Sequence, residues 1–461
     1  MLLTITPGNV PGLTDEEYGL LAKLVSNFNN HQSKNAEKKR YYEGKVSLAD
    51  VNLGIALPDG LARLEIGCAW GAKAVDVLAA RSMFDGYVGM NGDDVEALDK
   101  LVDDNRLVAE YMKACRDELL YGCTFATLSA DRDIGCKIRF HSPNTATALW
   151  DGDAGRIRAG LAIIDVRHIA DMDVPSLVYM YTDDAVLVFR LVDTRWYTER
   201  YTHRMGRPLM EALVWNATST KPFGRSRIKE PVRRLIQGYV RTIANASIGL
   251  EFATAPQKYF LGVTDDQYDA LTQAKFKQYV GSIIAATSNP ETGEKPTFGQ
   301  LQQGSIAPHV EMVRVLATQF SAATGLPVTD TGVVNDANPT SSDAILAQTQ
   351  TLVGMAEQLN VGNGDALRTI ALMALAIAQN KRVDELTEDE KDVVAHFKNP
   401  SMPSVAVTAD AAIKVATSRP AFADTDTFLE MLGFDKADIR RIKAQEQRAR
   451  GLSTLEELGV E

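Results

Sequence analysis

Five pairs of aspartates are the residues in this chain best placed to do chemistry: Asp93/Asp94, Asp103/Asp104, Asp171/Asp173, Asp183/Asp184 and Asp265/Asp266. Paired carboxylates can hold Mg²⁺ for phosphoryl transfer. Most of these fall at predicted helix starts or hairpin tips, where Asp caps a helix or closes a turn. A second charged group is basic: Arg225, Arg227, Lys229, Arg233, Arg234 and Arg241, with Glu230 the only acid among them. Such a run can contact phosphates, but a solvated helix face or an inter-subunit salt-bridge strip is the commoner reason for it. The segment Asn35 to Lys45, NAEKKRYYEGK, has the same two readings. Its tyrosines could pack on a neighbour, or its lysines could keep a surface soluble.

Other chemistries lack their residues. The six histidines (His31, His141, His168, His203, His309, His396) have no His or Cys two to four positions away, so metal ligation is not expected. Cys68, Cys115, Cys123 and Cys136 show no CxxC spacing and are read as reduced, buried thiols. A phosphate-binding P-loop needs GxxxxGK[ST], and the single Gly44-Lys45 pair has Lys39 where the first Gly should stand. Neither HExxH nor GxSxG occurs. The expectation is a chain without catalytic residues, cofactor or metal.

The elements that position these groups belong to a large protein. At 461 residues the chain fits roughly two to four domains. Its 45% hydrophobic and 24% charged residues are ordinary for a soluble protein. The longest apolar run, near Ala371 to Ala378, is too short to span a bilayer, and the N-terminus MLLTITPGNVPG lacks a secretory pattern. The chain is expected to be made in the cytoplasm and to have no membrane partner. Net charge is −11. That sign argues against a protein gripping nucleic acid, but suits a conduit whose wall must let DNA slide.

Thr14-Asp15-Glu16-Glu17 forms a capping box before a helix over 14–33. Helical patterns recur near 68–81 and over 93–120. From Tyr121 to His203 the texture turns to short alternating runs: 123–128, 137–140, 146–150, 157–166, 177–182 and 185–191. Hairpin turns are expected at Asp151–Gly155 and Thr182–Asp184. This is an antiparallel sheet inside an α+β fold. Over 225–250, Val232, Leu235, Ile236, Tyr239, Val240 and Ile243 form one helical stripe. A small insertion over 256–303 carries strands at 258–263, 279–287 and 297–301, the last two joined by the turn 289–296. A second helix over 306–324 has Pro308 in its first turn and a stripe of Val310, Val313, Leu316, Ala317 and Phe320. It stops at Gly325-Leu326-Pro327. About a dozen polar loop residues follow, and Pro339-Thr340-Ser341-Ser342-Asp343 opens the next helix, 343–359. Another apolar helix is expected over 366–380, a breaker at Asn399–Pro403, and helices in the tail.

Several short words occur in order along this chain: Arg40-Tyr41-Tyr42-Glu43-Gly44, Leu53-Gly54-Ile55-Ala56-Leu57-Pro58, Gly67-Cys68-Ala69-Trp70, Leu119-Leu120-Tyr121-Gly122, Gly224-Arg225-Ser226-Arg227-Ile228, Ala255-Pro256-Gln257-Lys258, Gly325-Leu326-Pro327 and Pro339-Thr340-Ser341-Ser342-Asp343. In that order and spacing, from about Leu20 to Arg450, the chain resembles the portal proteins of tailed bacteriophages, in the branch common in phages of actinobacteria. The resemblance implies a ring, usually a dodecamer, at one capsid vertex of the virion. It implies a wing (1–224 and 341–404), two stem helices (225–250 and 306–324), a clip (251–305), a tunnel loop (325–340) and a crown region (405–461). The implied partners are further copies of the chain, the large terminase subunit, the head–tail adaptor, the major capsid protein, a scaffolding protein and double-stranded DNA in the channel. Asp330, Val333, Asn335, Asp336 and Asn338 would face that DNA. Asn289, Glu291, Glu294 and Lys295 would present the clip to its partners, and the six basic residues of 225–241 would make stem charge contacts. The alternatives are a packaging nuclease using the Asp pairs and a DNA-binding module using the basic helix.

Overall fold

Thr14 starts the first helix as its capping box requires. Its amide donates to Glu17 Oε2 (2.8 Å), and the Glu17 amide donates back to Thr14 Oγ1 (3.3 Å). This helix, α1, runs over Asp15–Tyr42, so the basic 35–45 segment forms its last turns instead of a separate element. In the computed structural model the described residues are 3, 5, 7–46, 66–89, 96–169, 172–254, 258–261, 293, 297–300, 305–332, 342–401, 405–434 and 436–457. The remaining elements are α2 (Trp70–Ala79), β1 (Phe84–Gly89), α3 (Glu96–Asp104), α4 (Leu107–Tyr121), β2 (Cys123–Asp131), β3 (Gly135–His141), β4 (Ala146–Asp151), β5 (Arg156–Ile169), β6 (Met172–Tyr181), β7 (Ala185–Val192), β8 (Arg195–Thr202) and β9 (Met210–Val214). They continue with α5 (Glu230–Thr254), β10 (Lys258–Leu261), β11 (Thr297–Gln300), α6 (Ala307–Thr324), α7 (Ser342–Ala378), β12 (Val393–Phe397), α8 (Val405–Ser418), α9 (Asp426–Met431) and α10 (Lys436–Glu457). The fold is α+β, and the chain divides into two compact units.

The first unit comprises 1–35, 76–226 and 339–461. Its main sheet has the strand order β4-β5-β6-β7-β8, every pair antiparallel. Leu20, Leu21, Leu24 and Phe28, spaced along one face of α1, bury against Ala159, Leu161, Val178, Met180, Leu187, Phe189 and Trp196. Each of the leucines, phenylalanines and Met180 contributes about 1.5–3 kcal/mol on leaving water. At the start of α1, Glu17 takes both guanidinium arms of Arg200 (2.6 and 2.7 Å). A second sheet, β3-β2-β9, lies against α7. The sheet region expected over 121–203 is present, its turns as expected; β8 lies inside it but was not among the expected runs, and β9 lies beyond it. Arg195–Thr202 reads as charged because most of it is exposed on an edge strand.

Three further differences from expectation occur here. The helix expected over 93–120 is two helices, because Asn105 and Arg106 break it, with Arg106 in the left-handed region (φ 49°). The helices expected at 343–359 and 366–380 are one, α7, of 37 residues. Its Asn360-Val361-Gly362-Asn363-Gly364 stretch looks like a breaker, but Asn363 is buried and holds Tyr111 and Glu118. Over Ala347–Ala378 this helix is long and apolar enough to cross a bilayer, with a mean hydropathy of 1.2. Its Leu367, Ile370, Ala371 and Ala374 are buried in the first unit, as in the core helix of a globular domain. Finally, β1 and β12 pair antiparallel, Phe84 opposite Phe397, with Tyr87 and Tyr111 completing an aromatic cluster.

The second unit comprises 36–75 and 227–338. Its centre is the helical pair α5 and α6, packed so closely that a Cβ on Gly238 would come within 3.2 Å of Leu316. The predicted α5 stripe is buried or half-buried along its length. That of α6 is buried only at Leu316, Ala317 and Phe320, whereas Val310 is exposed. The insertion strands at 258–261 and 297–300 pair antiparallel, Phe260 opposite Phe298.

Candidate functional site

α6 ends at Gly325, whose left-handed conformation (φ 70°) lets its amide close the last turn on Ser321 O (2.8 Å). Leu326 is buried, and Ser321 Oγ donates to its carbonyl (2.6 Å). Pro327 then leads into a single 3₁₀ turn, Val328–Thr331. The Asp330 amide donates to Pro327 O (3.0 Å), and Thr331 Oγ1 to Val328 O (2.6 Å). So the first eight residues of the expected loop, 325–332, form a built structure, and Asp330 belongs to an ordered turn. The other residues assigned to face DNA, Val333, Asn335, Asp336 and Asn338, lie outside the described residues, as do Asn289, Glu291, Glu294 and Lys295 of the insertion.

Two side chains distant in sequence hold this root. Trp70 is buried, its ring 4.7 Å from Tyr239 of α5 and 4.9 Å from Phe320 of α6, centroid to centroid. Its indole N–H donates to Thr331 O (3.1 Å). Arg227 is buried, and its guanidinium donates to Ala74 O from Nε and to Thr324 O, at the end of α6, from Nη2 (2.6 Å). A cation at the C-terminal carbonyls of a helix complements the helix dipole. Burial pulls the Arg227 pKa down to about 10, which leaves it charged at neutral pH. Burial likewise raises the Cys68 thiol to about 11, away from the thiolate range.

The six basic residues are therefore not one set. Pro231 is the second residue of α5, where its missing N–H leaves no helical bond unmade, and the helix starts at Glu230 and not at 225. Arg225, Arg227 and Lys229 precede it. Arg227, expected as a stem charge contact, points inward. Arg233 is half-buried, pairs with Glu37 (3.7 Å) and lies over the Tyr41 ring (6.0 Å). Arg234 pairs with Glu230 one turn earlier (3.2 Å), while Arg225, Lys229 and Arg241 are exposed.

The acid pairs that are described sit in structural roles. Asp184 accepts from Thr182 Oγ1 in the β6–β7 turn (3.1 Å), Asp173 meets His168 (3.1 Å), and Asp103 and Asp104 are exposed at the end of α3. Asp93, Asp94, Asp171, Asp265 and Asp266 lie outside the described residues. Among the described residues no group of three His, Cys, Asp or Glu side chains is arranged to hold a metal ion. All four cysteines are buried.

The short words of the sequence meet in this geometry. A Cβ on Gly71 would lie 2.0 Å from Tyr41 O, so only glycine lets α2 approach the end of α1 there. Gln237 of α5 donates to the Tyr41 hydroxyl (2.5 Å). In the first unit, Gly122 (φ 114°) has the backbone of Arg225 3.1 Å from where its Cβ would be, and Ser226 Oγ donates to Leu120 O. The signal for Trp70 was present, as the last residue of Gly67-Cys68-Ala69-Trp70, but nothing in the sequence pointed it at Thr331.

A search of curated proteins finds no match. Among solved structures, the chain is similar to one from the neck of an empty GTA particle computed with C6 symmetry, at 13% identity and a TM-score of 0.45, over 79% of this chain and 90% of that one. It is also similar to chains from the virion of the native gene transfer agent particle and from its neck computed with C12 symmetry. Both are at 12% identity and a TM-score of 0.43, over 79% of this chain and 89% of theirs. Residues 21–451 match the family model "Phage portal protein, SPP1 Gp6-like", nearly the whole length. By that match the chain belongs to the phage portal proteins, which form the ring at a capsid vertex.

Proposed function

We propose that about twelve copies of this chain form a closed ring, with α5 and α6 as the stem and 325–340 as the loop projected toward the channel. The observation that carries this reading is the arrangement around α6. Its stripe packs on α5 at Leu316, Ala317 and Phe320, its end runs into the anchored 325–332 turn, and Val310, Met312 and Val315 in its first half remain exposed. Exposed apolar residues on a stem helix suit lateral packing against the next copy. Double-stranded DNA passes through the centre. The loop from Gly325 to Pro339 carries Asp330 and Asp336 but neither Lys nor Arg, so it braces or steers DNA without binding it tightly. In this reading 1–224 with 341–404 is the wing, which meets the capsid and scaffolding proteins. The clip, 251–305, docks the large terminase subunit during packaging and the head–tail adaptor afterwards, and 405–461 is the crown region.

The test is assembly followed by packaging. Native mass and electron microscopy of the purified chain should show rings of about a dozen subunits. A deletion within 330–338 should leave those rings intact and reduce packaged or retained DNA. A strictly monomeric protein would refute the ring, and normal packaging by the deletion variant would refute the loop's role.

A further inference from the structure

We propose that Trp70 and Arg227 are positioning residues for the 325–340 loop, fixing where it leaves the stem from outside its own sequence. The inference rests on the loop reading given above. The root is held at both of its ends. Arg227 binds the carbonyl of Thr324, the residue before the C-cap, and Trp70 binds the carbonyl of Thr331, two residues before position 333. Both donors are side chains and both acceptors are backbone, so what is held is the path of the chain. An indole N–H can only donate, and a carbonyl deprived of it in a buried site is left unsatisfied. The donors are themselves immobilised. Trp70 is wedged between Tyr239 and Phe320, so its N–H moves with the α5–α6 pair. Arg227 also binds Ala74, in the same helix as Trp70, so both ends of the root refer to α2. Gly71, next to Trp70, permits the backbone approach to Tyr41 that seats the start of this helix.

Trp70→Phe keeps an aromatic ring between Tyr239 and Phe320 while removing the N–H and part of the indole. Rings of this variant should form normally, with limited proteolysis within 325–341 accelerated about five- to tenfold and DNA retention in assembled particles reduced. Arg227→Lys, which keeps the charge but not the planar fork, should act in the same direction. Unchanged cleavage in both variants would overturn the positioning role, whatever happens to packaging. Accelerated cleavage with normal packaging would support the anchor and instead remove the loop from DNA handling, so the two ideas fail separately. Should neither variant assemble, hydrogen exchange on the unaltered ring decides. Amides of Asp330 and Gly332 as slow as those of α6 support the anchor, and exchange at free-peptide rates overturns it.

Discussion

The two units bury opposite charges by opposite means. In the first, Glu118 is fully buried and accepts from Asn363 Nδ2 (2.8 Å), which also donates to the Tyr111 hydroxyl (2.9 Å). Tyr111 is in turn 2.6 Å from Ser82 Oγ. No cation is part of this cluster, and burial pushes the Glu118 carboxyl up to about 8, so at neutral pH it is mostly protonated. In the second unit, Arg227 has no such exit, because a guanidinium does not discharge near neutral pH. It is solvated by carbonyls that a helix end and a tight approach make available. A buried acid can shed its charge by taking a proton, so it tolerates a sparse environment; a buried arginine has to be built around. Structure around Arg227 is therefore the more demanding of the two, and it lies at the root of the loop.

The sharpest way to break this contrast is Arg227→Met. It removes the charged donor from two buried carbonyls and should cost about 2–5 kcal/mol, read by urea unfolding; a loss below about 1 kcal/mol would mean the clasp is dispensable. Glu118→Gln tests the other side. The folded pKa of Glu118 lies above its ordinary 4.5, so the folded chain holds an extra proton between these values. Stability from this group is full below about pH 4.5 and declines toward pH 8, by about 1.4 kcal/mol per pH unit. The glutamine variant should match the parent near pH 4.5 and exceed it near pH 8; parallel pH profiles would show that Glu118 is ionised. The smallest effect belongs to Arg200→Ala. The Arg200 hydrogen bonds hold the Glu17 carboxyl below the usual range, so this pair stabilises above that range and the gain is lost as acid protonates Glu17. Arg200 is partly exposed, so the cost at pH 7 is about 1 kcal/mol or less, and it should vanish in acid. The two glutamates thus give the same unit pH slopes of opposite sign.

Much of this organisation was legible in the sequence, and the failures have physical causes. The Thr14 capping box, the β-hairpins at Asp151–Gly155 and Thr182–Asp184, the paired helices α5 and α6 and the stop at Gly325 depend on local rules of spacing, capping and turn chemistry. Arg227 shows where those rules end. Beside Arg225 and Lys229 it reads as one more surface cation, and only tertiary packing turns it inward. Asn363 fell between the expected helices 343–359 and 366–380, because its role depends on Glu118, 245 positions away. Trp70 stood in a recognised word, but its bond to Thr331 joins segments 261 residues apart, beyond any periodicity. β8 escaped because an edge strand carries polar residues on most of its length.

The pairing of β1 with β12 sets a clock on synthesis. Phe84 meets Phe397, a partner 313 residues further along (397 − 84). At roughly 5–20 residues per second, a ribosome takes about 15–60 s to make that partner. During this interval the first unit has an unpaired strand and an unfilled aromatic cluster. Until the partner emerges, a nascent chain cannot present a finished first unit to its neighbours.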